Sequence, residues 1–287
     1  MADIEQYLNK IICGDAIEVM AEMPDASVDL VFADPPYGMG LTDWDKKQDV
    51  ALFTREAKRI LSPNGFYAFY GQMPYILDWC NEAEKSFKYR EHISWIKRIV
   101  TPSGRLQKGH EEIMIYSLDN ARFYKTKGIY EDVKVPGIMF DTVSLEGIKR
   151  HISSLRQRLK GSKEEMLSHK ANDCYARFDF PGNRSPRECN YTNVWSFLPE
   201  AHKTRIGNIS PLHPTIKPLL LEERMIEMLT ASNMLVLSPF LGSGTTAVTC
   251  IKTGRKYIGI ELSEEYCEIA EKRIADALAQ PELAIAT

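Results

Sequence analysis

Residues 234–261 read MLVLSPFLGSGTTAVTCIKTGRKYIGIE. Met234–Leu237 is a short apolar run and predicts a strand. Ser238–Thr246 is a turn carrying Gly242 and Gly244 that opens a helix over Thr245–Thr253, and Tyr257–Ile260 is again strand-like. A strand, a glycine turn, a helix and a second strand form a crossover unit, which requires parallel neighbours. Glycines in such a turn let the backbone approach a ligand closely, and the helix N-terminus offers unpaired N–H groups to a carboxylate or phosphate. A lone Gly-x-Gly turn is equally a packing device. Here an acid, Glu261, closes the next strand 17 residues after Gly244, near the ~20 at which dinucleotide folds place the carboxylate that binds ribose hydroxyls. Together they point to a nucleoside-containing cofactor.

The same rhythm extends outward. Leu219–Thr230 and Glu264–Ala279 have helical spacing on either side of the unit. In the first third, strands are predicted at Lys10–Cys13, Val28–Ala33 and Phe66–Tyr70, with helices at Ala16–Met23, 49–61 and Pro74–Ser86. Further strands are expected at His92–Lys97 and Glu112–Ser117. Val28–Ala33 (VDLVFA) is apolar in the manner of a strand buried on both faces. The fold class is therefore α/β, a Rossmann-like, mostly parallel sheet with helices on both faces. Residues 119–210 lose the period and become aromatic, basic and turn-rich, with room for one helix in 145–168. They read as an insertion, dividing the chain into 1–118, 119–210 and 211–287.

At 287 residues, 44% hydrophobic and 26% charged, the chain is an ordinary globular one. No apolar run approaches the ~20 residues that cross a bilayer, and the acids of MADIEQYLNKIICGD do not suit a signal peptide. The six cysteines are scattered without a C-x-x-C pair, so neither a disulfide framework nor a zinc site is expected. The six histidines lie far apart and none reads as a ligand or catalyst. A soluble intracellular protein is expected. The net charge of −3 is unevenly spread: residues 88–217 hold 23 basic against 14 acidic side chains. A basic middle on an acidic frame suits contact with a polyanion.

Asp34-Pro35-Pro36-Tyr37 closes the strand Val28–Ala33. Two prolines fix φ and remove two N–H donors, so carbonyls and the Asp34 carboxylate form an acceptor-only array beside the flat ring of Tyr37. Acceptors beside an aromatic plate suit the exocyclic amine of a nucleobase, whose hydrogens would bond Asp34 and the Pro35 carbonyl. The amine lone pair is then withdrawn from the ring and available to attack. Reaching this turn requires the base to leave the duplex.

Taken together, the Asp-Pro-Pro-Tyr turn and the Phe-x-Gly-x-Gly turn resemble the catalytic and cofactor motifs of the AdoMet-dependent amino-DNA methyltransferases. Their order, catalytic first and cofactor last around a middle region, is similar to that of the β group of adenine-N6 and cytosine-N4 enzymes. Ile12–Ala16 with Met23–Asp29, and His213–Pro218, resemble the family's opening segment and the segment before its cofactor strand. The resemblance implies that Asp34, Pro35, Pro36 and Tyr37 bind and activate the target amine. It implies that Ser238, Phe240, Gly242, Ser243, Gly244, Thr245 and Thr246 surround the methionine part of AdoMet, with Glu261 on the ribose. Asp15 and Ala16 would face the adenine of the cofactor, and Lys217 its carboxylate. Trp195 matches a family position, although a packing tryptophan accounts for it as well. No metal is implied.

One position departs from the family, which usually has Asp where this chain has Ser238. A hydroxyl supplies no charge for the cationic end of AdoMet, a deficit of ~1.5–3 kcal/mol. The implied partner is double-stranded DNA, with a homodimer and a cognate restriction endonuclease as further candidates, for a cytoplasmic protein of bacterial or phage origin. Lys149, Arg150, Arg156, Arg158, Lys160 and Lys163 form a run suited to phosphates. Arg177, Arg184, Arg187, Asn190 and Asn193 are of types that read base edges. Met39–Asp49 is a candidate lid. The leading expectation is a DNA adenine-N6 methyltransferase, since cytosine-N4 members more often have serine at position 34. The alternatives are a cytosine-N4 enzyme and a DNA-binding module with a decayed cofactor site. A nicotinamide oxidoreductase would require a third glycine, where Ala247 stands.

Overall fold

Among the described residues eight strands form one sheet, in the order Lys10–Cys13, Lys256–Glu261, Leu235–Ser238, Val28–Ala33, Leu61–Gly71, His110–Ser117, Lys88–Lys97, Val194–Phe197. The computed structural model describes residues 3–36, 48–97, 110–119, 121–124, 194–197 and 216–279. The chain divides into two compact units, Met1–Thr126 with Asn193–Thr287, and Lys127–Thr192. Every described residue belongs to the first.

The strands are β1 Lys10–Cys13, β2 Val28–Ala33, β3 Leu61–Gly71, β4 Lys88–Lys97, β5 His110–Ser117, β6 Val194–Phe197, β7 Leu235–Ser238 and β8 Lys256–Glu261. The helices are α1 Ala16–Glu22, α2 Val50–Ile60, α3 Ile76–Glu84, α4 Leu219–Leu229, α5 Thr245–Thr253 and α6 Glu264–Ala279. Strands β1, β8, β7, β2 and β3 run parallel, and β5 is antiparallel to both β3 and β4. The expected α/β class and mostly parallel sheet are thus observed.

Alternation along the buried strands divides the core in two. Leu30 and Phe32 join Phe66, Ala68 and Tyr70 beneath α4, α5 and α6. Val31 and Ala33 join Tyr67 and Phe69 beneath α1, α2 and α3. Each fully buried large side chain contributes ~1.5–3 kcal/mol, and both faces of the sheet are covered. Asp29 is the polar exception in β2, and it aligns the strands. Its Oδ2 accepts from Leu235 N at 2.9 Å and its Oδ1 from Ser62 Oγ at 3.2 Å. That clamp sets β7 beside β2 and brings Ser238 to the same end of the sheet as Asp34.

Three features differ from the sequence expectations. Pro63-Asn64-Gly65 does not delay the third strand: β3 begins at Leu61, pairs Val28 with Leu61, and resumes at Leu30 with Phe66 after a register shift. β6, which pairs parallel to β4, falls inside the stretch where only a helix was anticipated. Cys13 at the end of β1 and Cys267 on α6 are disulfide-bonded, with a Cα–Cα separation of 6.3 Å, where the scattered cysteines gave no sign of a bridge. No helix among the described residues is long and apolar enough to cross a membrane.

Candidate active site

The chain leaves β2 toward β3 on one side and β7 toward β8 on the other, so the strand order reverses between the parallel neighbours β2 and β7. Open α/β sheets bind ligands at such a point, outside the carboxyl ends of the strands. A cleft of about 920 Å³, including the part open to solvent, lies there.

The β7 side is built by the glycine turn. Gly242 and Gly244 both have positive φ, 55° and 86°, which L side chains seldom adopt. Gly244 also lies against α6: a Cβ there would stand 2.9 Å from the Ala270 Cβ and 3.1 Å from its Cα. The turn can therefore seat α5 deeply only with glycine at this position. Arg273 of α6 braces it from below, donating from Nη1 to the Ser243 carbonyl at 2.6 Å and to Ser243 Oγ at 2.7 Å. The Phe240 ring stacks on Phe53 at 5.4 Å, anchoring the turn to the opposite core.

Glu261, at the end of β8, is pinned by backbone donors. Oε2 accepts from Gly242 N at 2.7 Å and Oε1 from Ser263 N at 2.9 Å. Each oxygen retains a further lone pair for a hydroxyl. Beyond β1, Asp15 caps α1, its Oδ1 accepting from Ile17 N at 2.9 Å and Glu18 N at 3.1 Å. A contact with an adenine amine would therefore fall to Oδ2.

On the β2 side, the Asp34 Oδ2 lies 2.7 Å from Lys217 Nζ. The same ammonium is 3.5 Å from Glu111 Oε2 and 4.7 Å from the centroid of the Tyr70 ring. Lys217 is only 7% exposed at its side chain, against 27% for Asp34. One buried cation thus serves two carboxylates and an aromatic face, in surroundings where charge interactions are much stronger than in water.

Glu222, in the first turn of α4, is buried at 3% exposure. Its Oε2 accepts from Thr246 Oγ1 at 2.8 Å, and Ser238 Oγ lies 3.5 Å from the same hydroxyl. Burial pushes the Glu222 carboxyl up to about 7, with Asp34 adding to the shift and Thr246, Lys217 and Arg273 opposing it.

The cleft gathers most of the residues singled out in the sequence: Asp15, Ala16, Asp34, Pro36, Lys217, Ser238, Phe240, Gly242, Ser243, Thr245, Thr246 and Glu261. Pro35 is buried beside them. Tyr37, Met39–Lys47 of the candidate lid, Asn193, and every candidate DNA contact between Lys149 and Asn190 lie outside the described residues. Gln48 lines the cleft, and Asp49 caps α2, accepting from Leu52 N at 3.0 Å.

Glu111, Tyr70, Glu222 and Arg273 were missed. Glu111 shares a strand face with Ile113 and Ile115, and Glu222 lies three and four residues before Met225 and Ile226 on the buried face of α4. An acid at an inward-facing position of an otherwise apolar pattern is the signal that would have found both.

The fold and the cleft define an AdoMet-dependent methyltransferase. The crystal structure of the M1.HpyAVI–SAM complex superposes on 92% of this chain and 98% of its own, with a TM-score of 0.59 at 21% identity. Residues 28–272 match the DNA methylase family of N6 and N4 enzymes, and the chain belongs to that family of amino-DNA methyltransferases. The type II methyltransferase M.HpaI of Haemophilus parainfluenzae is 27% identical over 280 residues, 92% of this chain and 74% of that protein. The DNA adenine methyltransferase YhdJ of Escherichia coli (strain K12) is 28% identical over 284 residues, 92% of this chain and 82% of that one.

AdoMet is the cofactor, and the residues present fit it. An amide-pinned carboxylate at the end of β8 suits the ribose diol, and the open N-terminus of α5 suits the carboxylate of the methionine part. Gly244→Ala is expected to weaken AdoMet binding at least tenfold by calorimetry. Left-handed backbone costs ~1–2 kcal/mol with a Cβ, and the contact with Ala270 forces the turn out of place.

Proposed function

We propose that this protein transfers a methyl group from AdoMet to the N6 amine of an adenine flipped out of double-stranded DNA. The carrying observation is the Asp34 carboxylate, held 2.7 Å from the buried Lys217 ammonium at the mouth of the cofactor cleft and followed by two residues without N–H donors.

AdoMet supplies a methyl group on a cationic sulfur that is already a good leaving group, so the protein's work is alignment and electrostatic support. Asp34 and the Pro35 carbonyl accept the two hydrogens of the amine, which turns its lone pair away from the ring and toward the methyl donor. Pro35 and Pro36 keep that array rigid. Lys217, with Glu111 behind it, holds the carboxylate in its orientation. Asp34 need not be a strong base, because the amine sheds its proton only after it has become cationic. Tyr37 supplies the stacking face for the base. Gly242, Ser243, Gly244, Thr245 and Thr246 surround the methionine part of the cofactor, Glu261 takes the ribose, and Asp15 and Ala16 face its adenine.

The acid at position 34 and the adenine specificity in the name of YhdJ support adenine. The cytosine-N4 reading uses the same array, since that amine is also exocyclic. Residues 119–210, rich in arginine and lysine, are proposed to read the DNA. The type II designation of M.HpaI supports a place beside a cognate restriction endonuclease in a bacterial cytoplasm, and the protein is proposed to act there as a homodimer.

Incubation with AdoMet and unmethylated DNA of diverse sequence, followed by digestion to nucleosides and mass spectrometry, is expected to yield N6-methyladenine. N4-methylcytosine alone would overturn the assigned base while keeping the amine chemistry.

A further inference from the structure

Position 238 carries a hydroxyl, and a buried acid, Glu222, meets it at one corner of the cleft. We propose that Glu222 supplies the carboxylate that holds the cationic methionine end of AdoMet, taking the place of the charge absent at Ser238. This rests on the assignment of the Gly242–Thr246 turn and Glu261 to the cofactor.

Ser238 and Glu222 come from different elements, the end of β7 and the first turn of α4, yet they meet at one hydroxyl. Thr246 Oγ1 donates to Glu222 Oε2 at 2.8 Å and lies 3.5 Å from Ser238 Oγ. A carboxylate at 222 therefore faces the same corner of the cleft as one at 238 would. Glu222 is 3% exposed and lines that cleft. Glutamate on the buried face of a helix costs free energy unless something offsets it, and the Thr246 hydrogen bond with the charges of Lys217 and Arg273 does so only in part. A sulfonium or an ammonium delivered into the cleft completes the environment.

The pH behaviour follows from the groups around it. Asp34 just after β2, Lys217 just before α4, Thr246 and Cys250 from α5, and Arg273 from α6 act on or beside Glu222. Burial pushes the Cys250 thiol well up, so it stays neutral. Burial lifts the Glu222 carboxyl to about 7, so without cofactor it is largely protonated at pH 6 and largely ionised at pH 8. A cation binds the ionised form, so AdoMet affinity rises with pH through this window and levels off above it.

The test is calorimetric titration of the full chain with AdoMet and with S-adenosylhomocysteine, whose sulfur is neutral. Glu222→Gln preserves the size of the side chain and an acceptor for Thr246. It is expected to weaken AdoMet at pH 8 by at least tenfold and to flatten the rise between pH 6 and pH 7.5. A loss confined to AdoMet places the carboxylate at the sulfonium, whereas a loss shared by both ligands places it at the ammonium. Adding Ser238→Asp to Glu222→Gln is expected to restore affinity, a rescue that a misfolded or merely destabilised variant would not show. Unchanged AdoMet affinity in Glu222→Gln at both pH values, with binding lost in Glu261→Gln, would overturn the role of Glu222 alone. If Glu261→Gln also binds normally, the cofactor cleft itself has been misassigned.

Discussion

Asp34→Ala is expected to lower methyl transfer by about 10³-fold while leaving AdoMet affinity within a few-fold of the parent. The size follows from the role proposed for the carboxylate, the charged acceptor aimed at the amine as positive charge develops there. Removing one such preorganised partner costs roughly 10²–10³ in rate, and the alanine also leaves the amine's lone pair committed to the ring. Folding should survive, because Lys217 retains Glu111 at 3.5 Å and the Tyr70 ring at 4.7 Å. Asp34→Asn keeps one acceptor oxygen without the charge and should fall between, losing roughly 10–10². Single-turnover assays on saturating DNA, read beside calorimetry with AdoMet, separate the two effects. Transfer within tenfold of the parent in Asp34→Ala would sink the amine-binding assignment. Equal loss of cofactor binding and transfer would make Asp34 a cofactor ligand instead.

What made the fold legible was local. VDLVFA alternates between two cores because both faces of β2 are covered, and an apolar run broken only by Asp29 is the trace that this leaves in sequence. The turn of residues 238–246 announced itself because its glycines answer a backbone requirement that few other residues meet. β6 left no such trace. Its four residues are held by pairing with β4, a contact with a strand almost a hundred residues earlier that no local pattern encodes. The same division runs through the site. Asp34, Glu261 and the glycines stand at strand ends, where turn chemistry marks them. Glu111 and Glu222 sit inside a strand and a helix, where surrounding apolar residues mask them until the third dimension shows which face they share. Lys217 was legible as a residue near the cofactor, but its pairing with Asp34 depends on how α4 meets the end of β2.

That pairing gives the second large effect. Lys217→Met keeps most of the buried stem and removes the charge, leaving Asp34 and Glu111 facing each other without a cation. Breaking a buried ion pair by removing one partner typically costs ~3–5 kcal/mol. Asp34 is 27% exposed and gains some help from solvent, so about 2–4 kcal/mol is expected, a fall in Tm of about 5–10 °C. Methyl transfer should fall at least 10²-fold, because repulsion moves the Asp34 carboxylate out of line and even small misplacements are costly to alignment. The companion variant decides what the lysine does. If it is the counter-ion of the two acids, adding Glu111→Gln to Lys217→Met removes the repulsion and recovers most of the lost Tm, and AdoMet affinity changes little throughout. If instead Lys217 holds the carboxylate of AdoMet, the single variant loses cofactor affinity tenfold or more and Glu111→Gln repairs nothing. The distances favour the first outcome: Nζ already lies 2.7 Å from one carboxylate and 3.5 Å from the other, so a third anion would have to displace one of them.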